Sequence, residues 1–260
     1  MYRAHNYRFL VYAAMFRGQS RLALERAREI LRALPPQDVR AIPDVLEEFL
    51  AAPYHVLLRF GRWEEILAET APAPEQPLVG AFWRYARGMA LGALGRVREA
   101  VVEQEAFERA CAAVPESRFV GNNSAKTVLE IGRALLTGEI EYRRGRYDLA
   151  FDRLREAVRR DAALQYDEPW GWMQPAAHAL GALLLEQGRL EEAEAVYRAD
   201  LKRHAGNGWS LRGLAECLGK RGAAPEAAKT EEQFRAAWAA ADVAIRASCY
   251  CRTGMSSGRG

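Results

Sequence analysis

The chain has 260 residues, of which 50% are apolar and 27% are charged, and its formal net charge is +3. This small, evenly spread positive charge argues against nucleic-acid binding, which needs basic residues clustered on one face. No apolar run approaches the roughly 18 residues that cross a bilayer, and the first residues predict an amphipathic helix rather than a signal peptide. We therefore expect a protein of the cytoplasm without a membrane partner.

Glycine recurs at positions that predict the turns between paired helices: Gly18, Gly61, Gly95, Gly145, Gly188 and Gly222. The intervals are 43, 34, 50, 43 and 34 residues, so the longer ones are a 34-residue unit with an insertion. Apolar residues around each glycine recur every three or four positions, as on one face of a helix. A glycine also suits the end of a helix, where one residue often takes a positive φ. The sequence therefore predicts an all-α array of about six helix pairs over residues 1–252.

Three insertions interrupt the repeat, beginning at Pro35, at Pro115 ("PESRFVGNNSAK") and at Asp161 ("DAALQYDEPWGWMQ"), and we expect them to be loops. Pro53 is expected to kink the first helix of the second pair. The segment Asn122-Asn123-Ser124 is interpreted as a helix cap.

The last helix is expected to run from about residue 225 to 248 and to cap the array, because terminal repeats must shield its apolar face. Residues 253–260 have nothing to bury and are expected to form a flexible tail.

The unit around Gly188 carries a recognisable pattern of Leu180-Gly181, Leu184, Gly188, Ala193 and Tyr197. In these positions the chain resembles the tetratricopeptide repeat (TPR) family, most strongly from residue 139 to 238. The segments "HNYRFLVYAAMFRG", "YHVLLRFGRWEEIL" and "YDEPWGW" also resemble the C-terminal part of a group of longer bacterial TPR proteins. The resemblance implies an α-solenoid of TPR-like antiparallel helix pairs that form a right-handed superhelix.

The resemblance also implies a concave groove lined by the first helix of each pair. Counting from the turn glycines assigns these residues to the groove: His5, Phe9, Tyr12, His55, Tyr85, Met89, Glu139, Tyr142, His178, Trp209, Arg212 and Glu216. Arg59 is added to this groove set as a candidate partner for an acidic group. A groove of this kind binds a protein or peptide partner, with aromatic anchors and with Arg212 or Arg59 meeting an acidic group. Motifs of phosphate-binding loops, nucleophile elbows and zinc proteases are missing from the sequence, so we expect a non-enzymatic scaffold without a cofactor.

Histidine raises an alternative, because three of the four histidines, His5, His55 and His178, belong to this groove set. The favoured interpretation is that they are partly buried and hydrogen-bond neighbouring helices. The alternative is that they converge with tyrosines on a small molecule or a metal ion.

Trp170 and Trp172 in the third insertion have two interpretations as well. They either pack against the fourth and fifth pairs, which we favour for rings of this size, or form a lid over the groove. Cys249 and Cys251 lie two residues apart and are weak candidates for a soft-metal site or a mixed disulfide, since no second ligand pair stands at zinc spacing.

The N-terminal repeat is a further candidate surface. An apolar face near Phe9 and Tyr12 at this end of the array predicts possible self-association.

Overall fold

Each of the six predicted turn glycines joins two helices in the computed structural model, which describes residues 2–253. All six have φ between 61° and 78°, a region that glycine enters without the steric cost of a Cβ. At Gly61 the turn is closed by two backbone hydrogen bonds, from Gly61 N to Leu58 O at 3.2 Å and from Arg62 N to Leu57 O at 2.9 Å. This is the capping pattern expected of a helix that ends in glycine. The prediction of an all-α fold built from helix pairs is confirmed.

The six pairs are α1 (Tyr2–Phe16) with α2 (Ser20–Ala33), α5 (Ala52–Arg59) with α6 (Trp63–Ala68), α7 (Pro77–Ala93) with α8 (Val97–Ala113), α9 (Ala125–Arg143) with α10 (Tyr147–Ala162), α11 (Ala177–Glu186) with α12 (Leu190–Arg203), and α13 (Gly208–Lys220) with α14 (Ala224–Ala237). The first insertion holds α3 (Pro36–Ala41), α4 (Pro43–Leu46) and a short 3-10 helix (Glu47–Ala51). The second insertion forms a small antiparallel hairpin of β1 (Phe119–Val120) and β2 (Asn123–Ser124). It was expected to be a loop.

Local sequence signals explain where two of these helices begin. Pro53 lies in the first turn of α5, directly after the 3-10 helix, so it interrupts the helical run as expected. Ser124 caps α9, and its side chain accepts a hydrogen bond from Thr127 N. The interpretation of Asn122-Asn123-Ser124 as a helix cap is confirmed for Ser124.

Neighbouring pairs pack on one another in chain order. α2 contacts α5, α7 contacts α5 and α9, α10 contacts α11, and α12 contacts α13. Tyr197 of α12 is fully buried against α11 and α13, and glycines on these two helices allow them to lie close to its ring. A Cβ added to Gly181 would lie 2.6 Å from the Tyr197 ring, and one added to Gly213 would lie 2.2 Å from it. Larger residues at these two positions would push the helices apart.

The C-terminal part of the chain differs from the prediction. α14 ends at Ala237 rather than near residue 248, and it is not longer than α12. Residues 239–253, here called the C-terminal segment, are not helical and return to the first pair. Asp242 accepts hydrogen bonds from Ser20 N at 2.7 Å and Arg21 N at 3.0 Å, and thus caps α2. These bonds and the burial of Ile245 offset the loss of further helical turns.

Two sequence expectations concern the limits of the chain. The tail predicted for residues 253–260 lies outside the described residues, apart from Thr253. Within residues 2–253, none of the helices combines the length and the apolar character required to cross a membrane.

Candidate functional site

The side chains that the sequence assigns to a groove are mostly interior. Eight of them have less than a tenth of their surface exposed: His55, Arg59, Tyr85, Met89, Glu139, Tyr142, His178 and Trp209. His5, Tyr12, Arg212 and Glu216 are half-buried, and Phe9 is exposed. The expectation of an open groove is therefore corrected, because the third insertion and the C-terminal segment cover the first helices of the pairs. In this structure these eight side chains face the protein's own chain.

The first pair also reaches the last two pairs. Trp209 Nε1 donates a hydrogen bond to Met15 O at 2.9 Å, and the ring of Phe16 lies 5.4 Å from that of His204 and 6.4 Å from that of His178. α1 and α11 thus meet across the interior, although four turn glycines separate them in the sequence.

A cavity of about 40 Å³ lies in this interior. Its wall combines α5, α6, α7, α9, α11, the third insertion with the residues that follow it, and the C-terminal segment. The lining residues are Leu58, Arg59, Trp63, Tyr85, Met89, Leu135, Trp172, Gln174, Pro175, Ala176, His178, Ala179, Cys249 and Cys251. Seven of these residues were singled out from the sequence: Arg59, Tyr85, Met89, Trp172, His178, Cys249 and Cys251. The structure therefore brings together about half of the predicted site.

Arg59 is the charged residue of the cavity wall. Its side chain is buried, forms no ion pair with any described carboxylate, and its Nη2 atom has no hydrogen-bond partner among residues 2–253. The guanidinium lies over the ring of Trp209, 3.4 Å from the ring centroid. Burial lowers the pKa of Arg59 to about 9, and the more distant Asp200 opposes this shift. Arg59 thus remains a cation at neutral pH, which is unusual for a buried group without a counter-ion.

His178 anchors a second part of the wall through a buried network. Its Nε2 atom lies 3.0 Å from Asp200 Oδ2, which also accepts hydrogen bonds from Asn207 Nδ2 and Ser210 Oγ, both at 2.6 Å. Burial lowers the pKa of His178 to about 4, although Asp200 raises it. Burial on its own raises the pKa of Asp200, but the interaction with His178 and the hydrogen bond from Ser210 bring it below its usual value. Burial thus favours the neutral form of the imidazole, and the donors around Asp200 favour its ionised carboxyl.

Trp172 forms the third part of the wall and is 1% exposed. Its ring lies 5.7 Å from that of His55, 6.2 Å from that of Phe82 and 5.4 Å from that of Tyr85. Its Nε1 atom is buried without a partner among the described residues. Trp172 is buried, as the packing interpretation expected, but its ring contacts lie on α5 and α7 of the second and third pairs rather than on the fourth and fifth pairs.

Trp170 lies at the edge of the same insertion and is also engaged. Its Nε1 atom donates a hydrogen bond to Asp161 Oδ1 at 2.8 Å, and Arg203 lies 3.9 Å above its ring. Burial raises the pKa of Asp161 to about 6, and the bonds from Ala176 N and Trp170 oppose this shift.

The three histidines of the predicted metal site do not meet. His5 packs edge-on against Phe9, with ring centroids 4.9 Å apart, and His55 is buried against Phe82. Burial, together with the charge of Arg8, lowers the pKa of His55 to about 3. No group of three or more His, Cys, Asp or Glu side chains in the part of the chain that the structure describes is arranged to hold a metal ion.

The two C-terminal cysteines are bonded to each other as a disulfide. Cys251 is buried and Cys249 is half-buried, and both line the cavity. As a bonded pair they do not offer thiolates to the soft metal that the sequence suggested.

The other predicted groove residues are engaged inside the chain. Ion pairs join Glu139 to Arg143 at 2.7 Å, Arg212 to Glu231 at 3.1 Å and Glu216 to Arg252 at 2.7 Å. Tyr142 Oη donates to Glu186 at 2.5 Å and accepts from Gln187 at 2.8 Å. Tyr12 is half-buried, with its ring 4.7 Å from that of Phe16. These contacts stabilise the packing of the pairs and leave the cavity as the candidate site.

Sequence reasoning missed the residues behind His178. Asp200 carried one signal, because it is a carboxylate near the end of α12, on the face that helical spacing shares with Ala193 and Tyr197, both buried. Asn207 and Ser210 carried none, since polar residues at the start of a helix are ordinary.

Seven buried side-chain nitrogen and oxygen atoms in residues 2–253 lack a hydrogen-bond partner. Three of these atoms, Arg59 Nη2, Trp172 Nε1 and His178 Nδ1, belong to residues that line this one cavity. Buried polar atoms are nearly always paired in folded proteins, so this concentration makes the cavity wall the candidate site. In the comparisons with known proteins, no protein-family model and no curated protein matches this chain.

Proposed function

We propose that this chain is a TPR-like α-solenoid of the cytoplasm that binds a small anionic ligand in the cavity beside Arg59. The observation that carries the proposal is a buried guanidinium that has an aromatic ring on one face and no counter-ion among residues 2–253. An unpaired buried charge costs several kcal/mol, roughly, unless a group of opposite charge reaches it. An anion at Arg59 would remove that cost.

The repeat architecture is part of this proposal. Helix pairs joined by glycines in the positive-φ region, and contacts between successive pairs, support a TPR-like solenoid. The proposal assigns binding and no chemical step, as expected from the motifs of the sequence.

The size of the cavity limits the ligand. A water molecule needs roughly 10–15 Å³ of such volume, so a cavity of about 40 Å³ holds about three waters or a ligand of about four non-hydrogen atoms. Short carboxylates and inorganic oxyanions have this size. The side of the wall nearest to solvent is formed by its half-buried residues, which are Trp63, Gln174, Ala179 and Cys249.

Isothermal titration of the full chain with sodium formate, nitrate, hydrogen carbonate and chloride tests the proposal. We expect saturable binding of at least one oxyanion by the wild type and none by Arg59→Met. Arg203→Met is the matched control, because Arg203 also lies over a tryptophan ring but is exposed and does not line the cavity. Equal binding by the wild type and Arg59→Met would refute the assignment of the site to Arg59.

A second candidate is the protein- or peptide-binding scaffold implied by the resemblance. It is favoured by the C-terminal segment itself, an extended stretch of chain held by the first helices through contacts such as Ser248 Oγ to His178 O at 2.8 Å. A partner would have to displace this segment. Hydrogen exchange of residues 239–253 as slow as that of α7 would exclude such displacement. Self-association through the N-terminal repeat stays a prediction, with Tyr2, Phe9 and Leu10 exposed there.

A further inference from the structure

The disulfide between Cys249 and Cys251 closes a very short loop, since only Tyr250 lies between the two cysteines. In the chain-entropy account, a disulfide stabilises a fold by restricting the unfolded chain, and this effect grows with the number of residues that the bond encloses. A bond across one residue restricts the unfolded chain very little. Stabilisation of the fold therefore accounts for little of the role of this pair.

The chain on both sides of the two cysteines is held by other contacts. Before them, Ser248 Oγ donates a hydrogen bond to His178 O at 2.8 Å and lies 2.8 Å from Tyr197 Oη. After them, Arg252 forms an ion pair with Glu216 at 2.7 Å. Neither contact uses a sulfur atom. The C-terminal segment therefore keeps these anchors when the disulfide is reduced.

The two cysteines differ in access and in hydrogen bonding. Cys251 is 1% exposed, whereas Cys249 is half-buried. The backbone N–H of Cys251 donates a hydrogen bond to Cys249 Sγ at 3.1 Å. Such a bond favours a negative charge on the sulfur that accepts it. Both observations favour Cys249 as the sulfur that reacts with an external thiol.

We propose that Cys249 and Cys251 are a redox-active pair that exchanges with a dithiol reductant, with Cys249 as the reactive sulfur. A thiolate of the reductant attacks Cys249 Sγ, the S–S bond breaks, and Cys251 leaves as a thiolate with the electron pair of that bond. The second thiolate of the reductant attacks its own sulfur in the mixed disulfide and releases Cys249. The pair gains two electrons and, through solvent, the two thiol protons of the reductant, which becomes a disulfide. Because both cysteines line the cavity, the exchange changes its wall.

The other two cysteines of the chain are internal controls. Cys111 and Cys217 are free and buried. Burial raises the pKa of Cys111 to about 12 and that of Cys217 to about 11. At neutral pH both are therefore thiols, which are poor nucleophiles, and both should stay unlabelled in the folded protein.

Pulse labelling of the full wild-type chain tests the proposal. The folded protein is treated with dithiothreitol near neutral pH and given a short pulse of iodoacetamide, and the remaining thiols are labelled with heavy iodoacetamide after unfolding. Trypsin cleaves after Arg246 and Arg252, and fragment ions of the peptide 247–252 separate Cys249 from Cys251. We expect the pulse to label Cys249 at least roughly tenfold faster than each of the other three cysteines.

Three results of this experiment would overturn the proposal. The first is a pair that dithiothreitol reduces only after urea has unfolded the chain, since the bond would then be structural. The second is labelling of Cys251 as fast as that of Cys249. The third is equally fast labelling of Cys111 and Cys217, because reactivity would then report general opening of the fold.

Cys249→Ser and Cys251→Ser form a matched pair of variants, since each leaves one sulfur of the two. With oxidised glutathione as the probe, we expect Cys251→Ser to form a mixed disulfide at Cys249 at least roughly tenfold faster than Cys249→Ser forms one at Cys251. Equal rates, or the reverse order, would contradict the assignment. Thermal unfolding followed by circular dichroism shows whether both variants fold, and the labelling of the wild type decides the question if either does not.

Discussion

Replacing Arg59 by methionine distinguishes a ligand-binding arginine from a structural one, because the two roles predict opposite changes in stability. The pKa of Arg59 is lowered to about 9 from its usual 12.5. The folded state therefore binds this proton more weakly than the unfolded state does, and the charged form destabilises the fold at every pH below 9. A shift of this size corresponds to a cost on the order of 5 kcal/mol at pH 7.

Two terms reduce the net effect of the substitution. The contact of the guanidinium with the Trp209 ring, 3.4 Å from its centroid, offsets about 2 kcal/mol of that cost. Methionine keeps much of the apolar stem but fills the site less completely, which costs about 1 kcal/mol. We expect Arg59→Met to raise the free energy of unfolding by about 2 kcal/mol, or Tm by roughly 4–8 °C, in buffer of low anion content.

Urea unfolding and calorimetry of the full chain measure this change, with Arg203→Met as the control that stays within about 0.5 kcal/mol of the wild type. Saturating oxyanion should stabilise the wild type, by about 2.7 kcal/mol at a hundred times Kd, and leave Arg59→Met unchanged. A loss of about 3–5 kcal/mol in Arg59→Met without added anion would refute the reasoning, since that is the cost of breaking a buried ion pair. Asp200 would then be the counter-ion of Arg59.

Three further predictions concern packing, capping and pH. Gly213→Ala places a Cβ 2.2 Å from the Tyr197 ring and should lower the free energy of unfolding by about 1–3 kcal/mol; Gly219→Ala on the same helix, with open space around it, should be neutral or stabilising in the same urea titration. Asp242→Ala removes the cap of α2 and should cost about 1–2 kcal/mol, and an unchanged unfolding midpoint would contradict the docking of the C-terminal segment. His55, with its pKa lowered to about 3, contributes stability that is complete above pH 6.5 and falls as pH drops towards 3. His55→Gln should therefore flatten the dependence of unfolding free energy on pH below 6.5 by about 1.4 kcal/mol per pH unit, and identical slopes would show that His55 is not buried as a neutral base.

The sequence by itself determined the helix pairs and their turns. Apolar residues at helical spacing specify which face of each helix is buried, and a glycine at each turn permits the positive φ that ends one helix before the next begins. Ser124 and Pro53 likewise act within a few residues of themselves, so their roles as cap and interruption were predictable. Gly181 belongs to the repeat pattern of the sequence, and its position beside the Tyr197 ring leaves no room for a larger side chain.

Only the tertiary structure decided what covers the first helices. Residues 225–248 have a composition that favours a helix throughout, yet the chain leaves the helix after Ala237 because Asp242 gains partners at Ser20 and Arg21. Those partners are more than 200 positions away in the sequence, and no local pattern encodes the contact.

The candidate site depends on contacts of the same kind. Arg59 was expected in an open groove, but it is buried and lies against Trp209, which is four turns later in the chain. Local periodicity states which face of a helix is apolar and leaves open which distant residues cover it. The buried Arg59 and the hydrogen-bond network of His178 became visible only when the helices that enclose them were placed together.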